Sequence, residues 1–154
     1  MTPPRTAEAP PTDELAVLSK HGIIRLINRV RIELIDAMDR ELAQFDITAP
    51  QLIVLASVAN READSASQLC KSISYDPGAM TRMIDRLEQK GLVRRVARPD
   101  DRRAMTLEMT AAGRALFPKL LQAKETVQAQ FLRGFGKDEV ATLEKLLNRL
   151  LDNR

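Results

Sequence analysis

The chain has 154 residues, of which 44% are hydrophobic and 29% are charged. These values are typical of one globular domain, with or without an added dimerisation segment. A single cysteine and a single histidine exclude a disulfide framework and a Cys/His zinc site within one chain. An aromatic content of only 3% argues against binding of single-stranded nucleic acid by base stacking.

The basic residues are concentrated in one stretch. Between Lys71 and Arg103 nine basic residues stand against five acidic ones, a balance of +4, while the rest has 15 basic and 16 acidic residues, a balance of −1. A local basic surface on a nearly neutral body is typical of a nucleic-acid-binding protein. A solvated basic face would explain the count equally well.

Neither the N-terminus nor the apolar runs suggest a membrane. Residues 1–12 contain four of the eight prolines and no apolar signal core, so we interpret them as a disordered tail. The longest apolar run, residues 52–59, is far shorter than the roughly 20 residues that span a bilayer. We therefore expect a cytoplasmic protein without a membrane partner.

Residues 13–46 are predicted to form a long amphipathic helix. Apolar residues recur at helical spacing from Leu15 to Phe45, and Gly22 marks a possible break. A helix of about 30 residues is long for one small core. We expect it to pack against a partner.

Three short helices are predicted next. Residues 48–51 and 65–68 each have a capping-box pattern, and Asp76-Pro77 supplies an N-cap and a first-turn proline to the third helix. The third helix has an apolar face of Met80, Met83, Ile84 and Leu87. Its other face is polar and basic.

A hairpin and two helices complete the chain. Residues 92–97 and 104–109 alternate as strands do, and a charged turn joins them. Thr110 caps a helix to about Arg133, which Pro118 should kink or perturb, and a last helix covers about 138–152. Three short helices and a ribbon predict a winged helix-turn-helix domain at 47–110, in a mainly α (α+β) fold.

Three segments resemble the MarR family of bacterial regulators. They are residues 45–51 (FDITAPQ), 76–87 (DPGAMTRMIDRL) and 100–103 (DDRR), and residues 138–144 are similar to the family's C-terminal helix. The resemblance implies a ligand-responsive transcriptional repressor that is not an enzyme and has no cofactor or metal. It also implies a homodimer, built by helices in 13–46 and 111–154, that binds palindromic duplex DNA with its third helices in successive major grooves.

The resemblance places DNA contacts on the third helix and on the turn of the hairpin. Thr81, Arg82 and Arg86 would face the major groove, where arginine can bind guanine. In the turn, Arg103 would be braced by Asp76 or Asp101 while the tip enters a minor groove. The full predicted set is Ser65, Ser67, Asp76, Pro77, Gly78, Thr81, Arg82, Arg86, Arg98, Asp101, Arg102 and Arg103. Two alternatives remain: the serines act only as helix caps, and Asp85 pairs with Arg82 or Arg86 on a solvent face.

The family's effectors are small aromatic acids or phenols, and the resemblance assigns such a ligand to His21, Thr81 and Arg95. Arg95 would pair with a carboxylate, although a DNA phosphate or a surface acid is an equally good partner. An effector releases DNA if it binds the released conformation more tightly. The alternatives are an effector-independent architectural DNA-binding protein and a redox-responsive regulator using Cys70, which the pattern favours as a buried structural thiol.

An enzyme is the remaining class. One histidine, one cysteine and the lack of a glycine-rich phosphate loop argue against it.

Overall fold

The computed structural model describes residues 22–61, 65–73, 75–97 and 105–153. The helices are α1 (Ile23–Leu42), a 3-10 turn (Ala43–Phe45), α2 (Ala49–Ala59), α3 (Ala66–Ile73), α4 (Pro77–Gln89), α5 (Ala111–Phe131) and α6 (Lys137–Asp152), and the strands are β1 (Val93–Ala97) and β2 (Met105–Met109). The predicted order of elements and the mainly α fold class are confirmed. The predicted tail lies outside the described residues.

The chain divides into two compact units at Asp36. In the first unit, the described residues are Gly22 and the N-terminal part of α1, which begins directly after Gly22, where a break was predicted. The side chains of residues 23–34 are all exposed.

The second unit, which begins at Ala37, contains the hydrophobic core. Helices α2 to α5 and both strands each contribute buried side chains to this core. The largest fully buried ones are Leu42, Leu55, Leu69, Met80, Ile84, Leu87, Leu120, Val54, Val93 and Val127. Burial of these side chains is the main favourable contribution to folding.

Side-chain caps begin the helices where the sequence predicts them. Thr48 and Gln51 form a reciprocal capping box on α2, in which the Gln51 N–H donates to Thr48 Oγ1 at 3.4 Å and the Thr48 N–H donates to Gln51 Oε1 at 3.1 Å. The Gly113 N–H donates to Thr110 Oγ1 at 3.0 Å and begins α5 in the same way. Such caps satisfy N–H groups that have no partner inside the helix.

The two strands form an antiparallel ribbon whose ends agree with the prediction to within one residue. Val93 pairs with Met109, Arg94 with Glu108 and Ala97 with Met105. The turn that joins the strands lies outside the described residues. Helix α5 is helical on both sides of Pro118.

A close backbone approach sets the position of α5 against the ribbon. Gly113 is buried, and a Cβ atom added to it would lie 2.2 Å from the backbone oxygen of Leu92. The Leu92 oxygen accepts a hydrogen bond from the Thr110 N–H at 3.0 Å, and the Leu92 N–H donates to Leu87 O at 3.0 Å. The backbone of Leu92 is therefore held on both sides.

Within the described ranges, no single helix has the length and apolar composition of a membrane span. Residues 23–45 and 49–59 meet those criteria only together, as a pair bent by 76°.

Candidate nucleic-acid interface

Helix α4 has one buried face and one exposed face. Met80, Met83, Ile84 and Leu87 are buried, as predicted. The predicted DNA-facing residues of this helix are all exposed: Pro77, Gly78, Thr81, Arg82 and Arg86. The helix is therefore anchored in the core along one side and presents two arginines, one turn apart, on the other.

Asp76 determines where α4 begins. Its Oδ2 accepts a hydrogen bond from the Ala79 N–H at 2.8 Å, and Pro77 occupies the first turn. A negative side chain at this end also interacts favourably with the helix dipole. The predicted contact of Asp76 with Arg103 involves a residue outside the described ranges.

Among the described residues of the basic stretch, three cations are engaged by acids. Lys90 lies 3.0 Å from Asp46 Oδ2 and also donates to the Asp46 carbonyl. Arg94 lies 2.7 Å from Glu108 across the ribbon. Arg95 is the third, and it bonds to two acids of α4. Each of these pairs reduces the positive charge available to DNA.

Arg95 connects the ribbon to α4. Its Nη2 donates to Asp85 Oδ1 at 2.5 Å, its Nη1 donates to Glu88 Oε2, and its backbone N–H donates to Glu88 Oε1 at 3.1 Å. The hydrogen bond to Asp85 is the main cause that raises the pKa of Arg95 above its ordinary value. The partners of Arg95 are therefore surface acids, one of the alternatives that the sequence left open.

The other described cations of the stretch are Lys71, Arg82 and Arg86, which form no ion pair within the part of the chain that the structure describes. The alternative pairing of Asp85 with Arg82 or Arg86 is therefore wrong, because Asp85 is bonded to Arg95. Helical spacing made the Arg82 pairing plausible, and only the fold brings Arg95 near. The bridge was not predicted from the sequence, in which the acids at 85 and 88 were its signal.

Arg82 and Arg86 line a shallow cavity of about 290 Å³ beside α2. The other lining residues are Thr48, Pro50, Gln51, Tyr75, Ala79 and Met83. A second cavity, of about 620 Å³, lies between the end of α2, strand β2 and the start of α5. Neither of these two cavities is lined by Thr81 or Arg95.

No hydrogen bond or ion pair among the described residues joins the side chains that were predicted to hold an effector. The Thr81 hydroxyl donates to the Pro77 carbonyl at 2.9 Å, inside its own helix. Arg95 bonds to Asp85 and Glu88, as above. His21 lies outside the described residues, and so do Arg98, Asp101, Arg102 and Arg103 of the hairpin turn.

Ser65 and Cys70 lie in or near α3. Ser65 Oγ accepts a hydrogen bond from the Gln68 N–H at 3.3 Å, as a cap does, while Ser67 is exposed. Cys70 packs against the core but is only partly buried. Among the described residues no group of three or more His, Cys, Asp or Glu side chains could hold a metal ion.

Comparisons with known proteins agree with the geometry. A model of the MarR family matches residues 47–105, from just before α2 to the first residue of β2. The chain is 36% identical over 128 residues to the multiple antibiotic resistance protein MarR of Escherichia coli (strain K12), covering 82% of this chain and 89% of MarR. It is 30% identical over 115 residues to the HTH-type transcriptional repressor MdtR of Bacillus subtilis (strain 168), covering 75% of this chain and 72% of MdtR.

A solved structure extends the likeness to the backbone. The crystal structure of a mutant E. coli MarR complexed with operator DNA matches with a TM-score of 0.77 at 33% identity, covering 93% of this chain and 99% of that one. The ribbon beside α4 is accordingly the wing of a winged helix. The motifs and the fold of this chain agree with those of MarR over most of the length of that protein. This chain belongs to the MarR family.

Proposed function

We propose that the protein is a transcriptional repressor that binds palindromic duplex DNA as a homodimer. The observation that carries the proposal is the exposed face of α4, where Arg82 and Arg86 have no acidic partner among the described residues. The relatives support it, because one is a named repressor and a mutant of another was solved with operator DNA. Proteins of this kind act in the cytoplasm and are not enzymes.

The dimensions of α4 suit a major groove. Its 13 residues extend about 20 Å, and a B-DNA major groove is wide enough to admit one helix. Arg82 and Arg86 lie one turn apart and point to the same side. Each can bind the O6 and N7 atoms of a guanine with two N–H groups of its planar guanidinium.

Dimerisation accounts for the exposed apolar face of α1 and for the exposed apolar face of α6. In α1 the side chains of Ile23, Ile24, Leu26, Ile27, Val30, Ile32 and Leu34 are 37–80% exposed, and in α6 those of Leu143, Leu146, Leu147, Leu150 and Leu151 are 40–55% exposed. Monomers rarely leave apolar patches of this extent in water. We therefore assign residues 13–46 and 111–154 to the dimer interface and 47–110 to the DNA-binding lobe.

We expect the protein with Leu147→Glu and Leu150→Glu to be a monomer. Two carboxylates on the apolar face of α6 would have to be buried without partners in the dimer, which is unfavourable. Light scattering should give twice 17.2 kDa for the wild type and a single chain for the variant. Asn148→Glu, on an exposed position between them, should remain dimeric, and a dimeric double variant would contradict the assignment.

Release by a small aromatic acid or phenol is the regulatory part of the proposal. His21, Thr81 and Arg95 are the proposed contacts, and a carboxylate effector would replace Asp85 or Glu88 as the partner of Arg95. Such a ligand acts only if it binds the DNA-free conformation more tightly than the DNA-bound one. The second candidate, an effector-independent architectural protein, shares the same DNA-binding face.

Selection of duplexes from a random-sequence pool tests the proposal. The wild type should enrich a palindrome whose half-sites are about one helical turn apart, with an affinity that falls steeply as salt rises. Enrichment of no sequence would contradict specific binding. Titration of the bound complex with small aromatic acids and phenols then separates the two candidates, since failure of all of them to release DNA favours the architectural protein.

A further inference from the structure

Asp85 lies on α4 between the two DNA-facing arginines but bonds to neither. Arg82 precedes it by three residues, a spacing at which side chains of opposite charge meet on a helix. Arg86 follows it directly. The Asp85 carboxylate is instead held by Arg95, which reaches it from strand β1 at a distance of 2.5 Å.

The register of the ribbon explains why Arg95, and not its neighbour, makes this contact. Successive side chains of a strand point to opposite faces. Arg95 is paired with the buried Leu107, so it lies on the inner face. Arg94 is paired with Glu108 on the other face and forms its ion pair there.

The Arg95 side chain is less exposed than that of Arg94 and has more bonding partners. Its side chain is 30% exposed, against 63% for Arg94. Both its guanidinium and its backbone N–H bond to α4, so two different groups of one residue hold the same helix. Forked contacts of this kind restrict orientation as well as distance.

We propose that Arg95 is a positioning residue for DNA recognition. It binds the Asp85 carboxylate and so keeps this acid from pairing with Arg82. Without Arg95, Asp85 is one helical turn from Arg82, and it becomes a competitor of DNA for this arginine. The inference rests on the proposed DNA binding and assigns Arg95 a role in the DNA-free protein that needs no effector.

Glu88 does not share this competing role. It lies two residues after Arg86 and six after Arg82, and side chains at neither spacing face one another on a helix. Its contribution is to hold Arg95 in place through the backbone and side-chain contacts. Removal of Asp85 alone should therefore relieve the competition.

Two substitutions that break the same ion pair provide the test. Arg95→Gln should weaken binding to the duplex that the wild type enriches by about tenfold or more, the loss expected when one arginine–base contact is impaired. Asp85→Asn should bind at least as well as the wild type. The double variant Arg95→Gln/Asp85→Asn should recover most of the lost affinity and the preference over a scrambled duplex.

Arg94→Gln and Glu108→Gln are the matched controls. They break the other ion pair of the ribbon with the same changes of charge, so they measure the general electrostatic effect on DNA binding. Arg95→Gln must lose clearly more affinity than Arg94→Gln. Equal losses in these two variants, or no recovery in the double variant, would overturn the inference.

NMR of the DNA-free protein tests the pairing directly. The guanidinium signals of Arg82 should shift in Arg95→Gln and return when Asp85→Asn is added. If they do not move, the competition does not exist. If Arg95→Gln fails to fold, Arg95→Lys, which keeps one charge but not the fork, should show a smaller shift of the same signals. A wild type that enriches no duplex would contradict the proposed function, and the spectra would still decide the inference.

Discussion

The protein with Arg82→Ala and Arg86→Ala is expected to lose its preference for the selected palindrome. Each arginine–guanine pair contributes about 1–3 kcal/mol of discrimination, so two of them correspond to a loss of roughly 30-fold or more in affinity. In the proposed homodimer each substitution occurs twice, which increases the loss. Fluorescence anisotropy with the selected and a scrambled duplex, at matched salt, measures the change.

This loss should come without a loss of stability. Both side chains are exposed and form no ion pair within the described residues, and substitutions at such positions usually change stability by less than about 0.5 kcal/mol. Lys119→Ala with Lys124→Ala removes the same charge from exposed positions of α5 and is the control. If the control pair weakens binding equally, the arginines contribute only their charge.

Gly113→Ala is expected to cause the largest loss of stability among single substitutions considered. The added Cβ would lie 2.2 Å from the oxygen of Leu92, which is impossible without movement of the backbone. Because hydrogen bonds hold Leu92 on both sides, α5 must move away from the ribbon. Overpacking of this kind costs about 3 kcal/mol, which should lower the Tm by roughly 10 °C in thermal unfolding followed by circular dichroism.

Gly136→Ala is the matched control for this prediction. Its added Cβ would meet only Glu139 Oε2, at 3.5 Å, an ordinary contact. It should cost no more than about 1 kcal/mol, because alanine is a poorer N-cap than glycine. The two proteins should be compared at equal concentration, since the proposed dimerisation would contribute to the apparent stability. A Gly113→Ala protein as stable as the control would contradict the prediction, because it would show that the backbone at Leu92 moves aside at little cost in free energy.

Local patterns predicted the parts of this molecule that depend on neighbours in sequence. The cap of Asp76 on α4 involves residues three apart, and the buried Met80, Met83, Ile84 and Leu87 follow the helical period. The ends of both strands were correct to one residue because their alternation is also local. Propensity and period determine such features whatever the rest of the chain does.

Contacts between segments that are distant in sequence could not be predicted from those patterns. The partner of Asp85 could not be chosen from spacing, since Arg82 is nearer in sequence than Arg95, which lies ten residues away. The tight approach of Gly113 to Leu92 depends on how α5 packs on the ribbon. The partial exposure of Cys70 likewise depends on what covers α3. Each of these is a property of packing, and periodicity carries no information about it.

The anchoring of α4 has a consequence for the entropy of DNA binding. Its backbone is held by four buried side chains on one face and by Arg95 on another, so ordering of the helix is completed when the protein folds. The arginines themselves carry no such restraint, and immobilising each on DNA costs about 0.5–1.5 kcal/mol. In the DNA complex proposed above, a rigid helix carries adaptable side chains, so the position of contact is fixed while the contacted atoms can vary from one site to another.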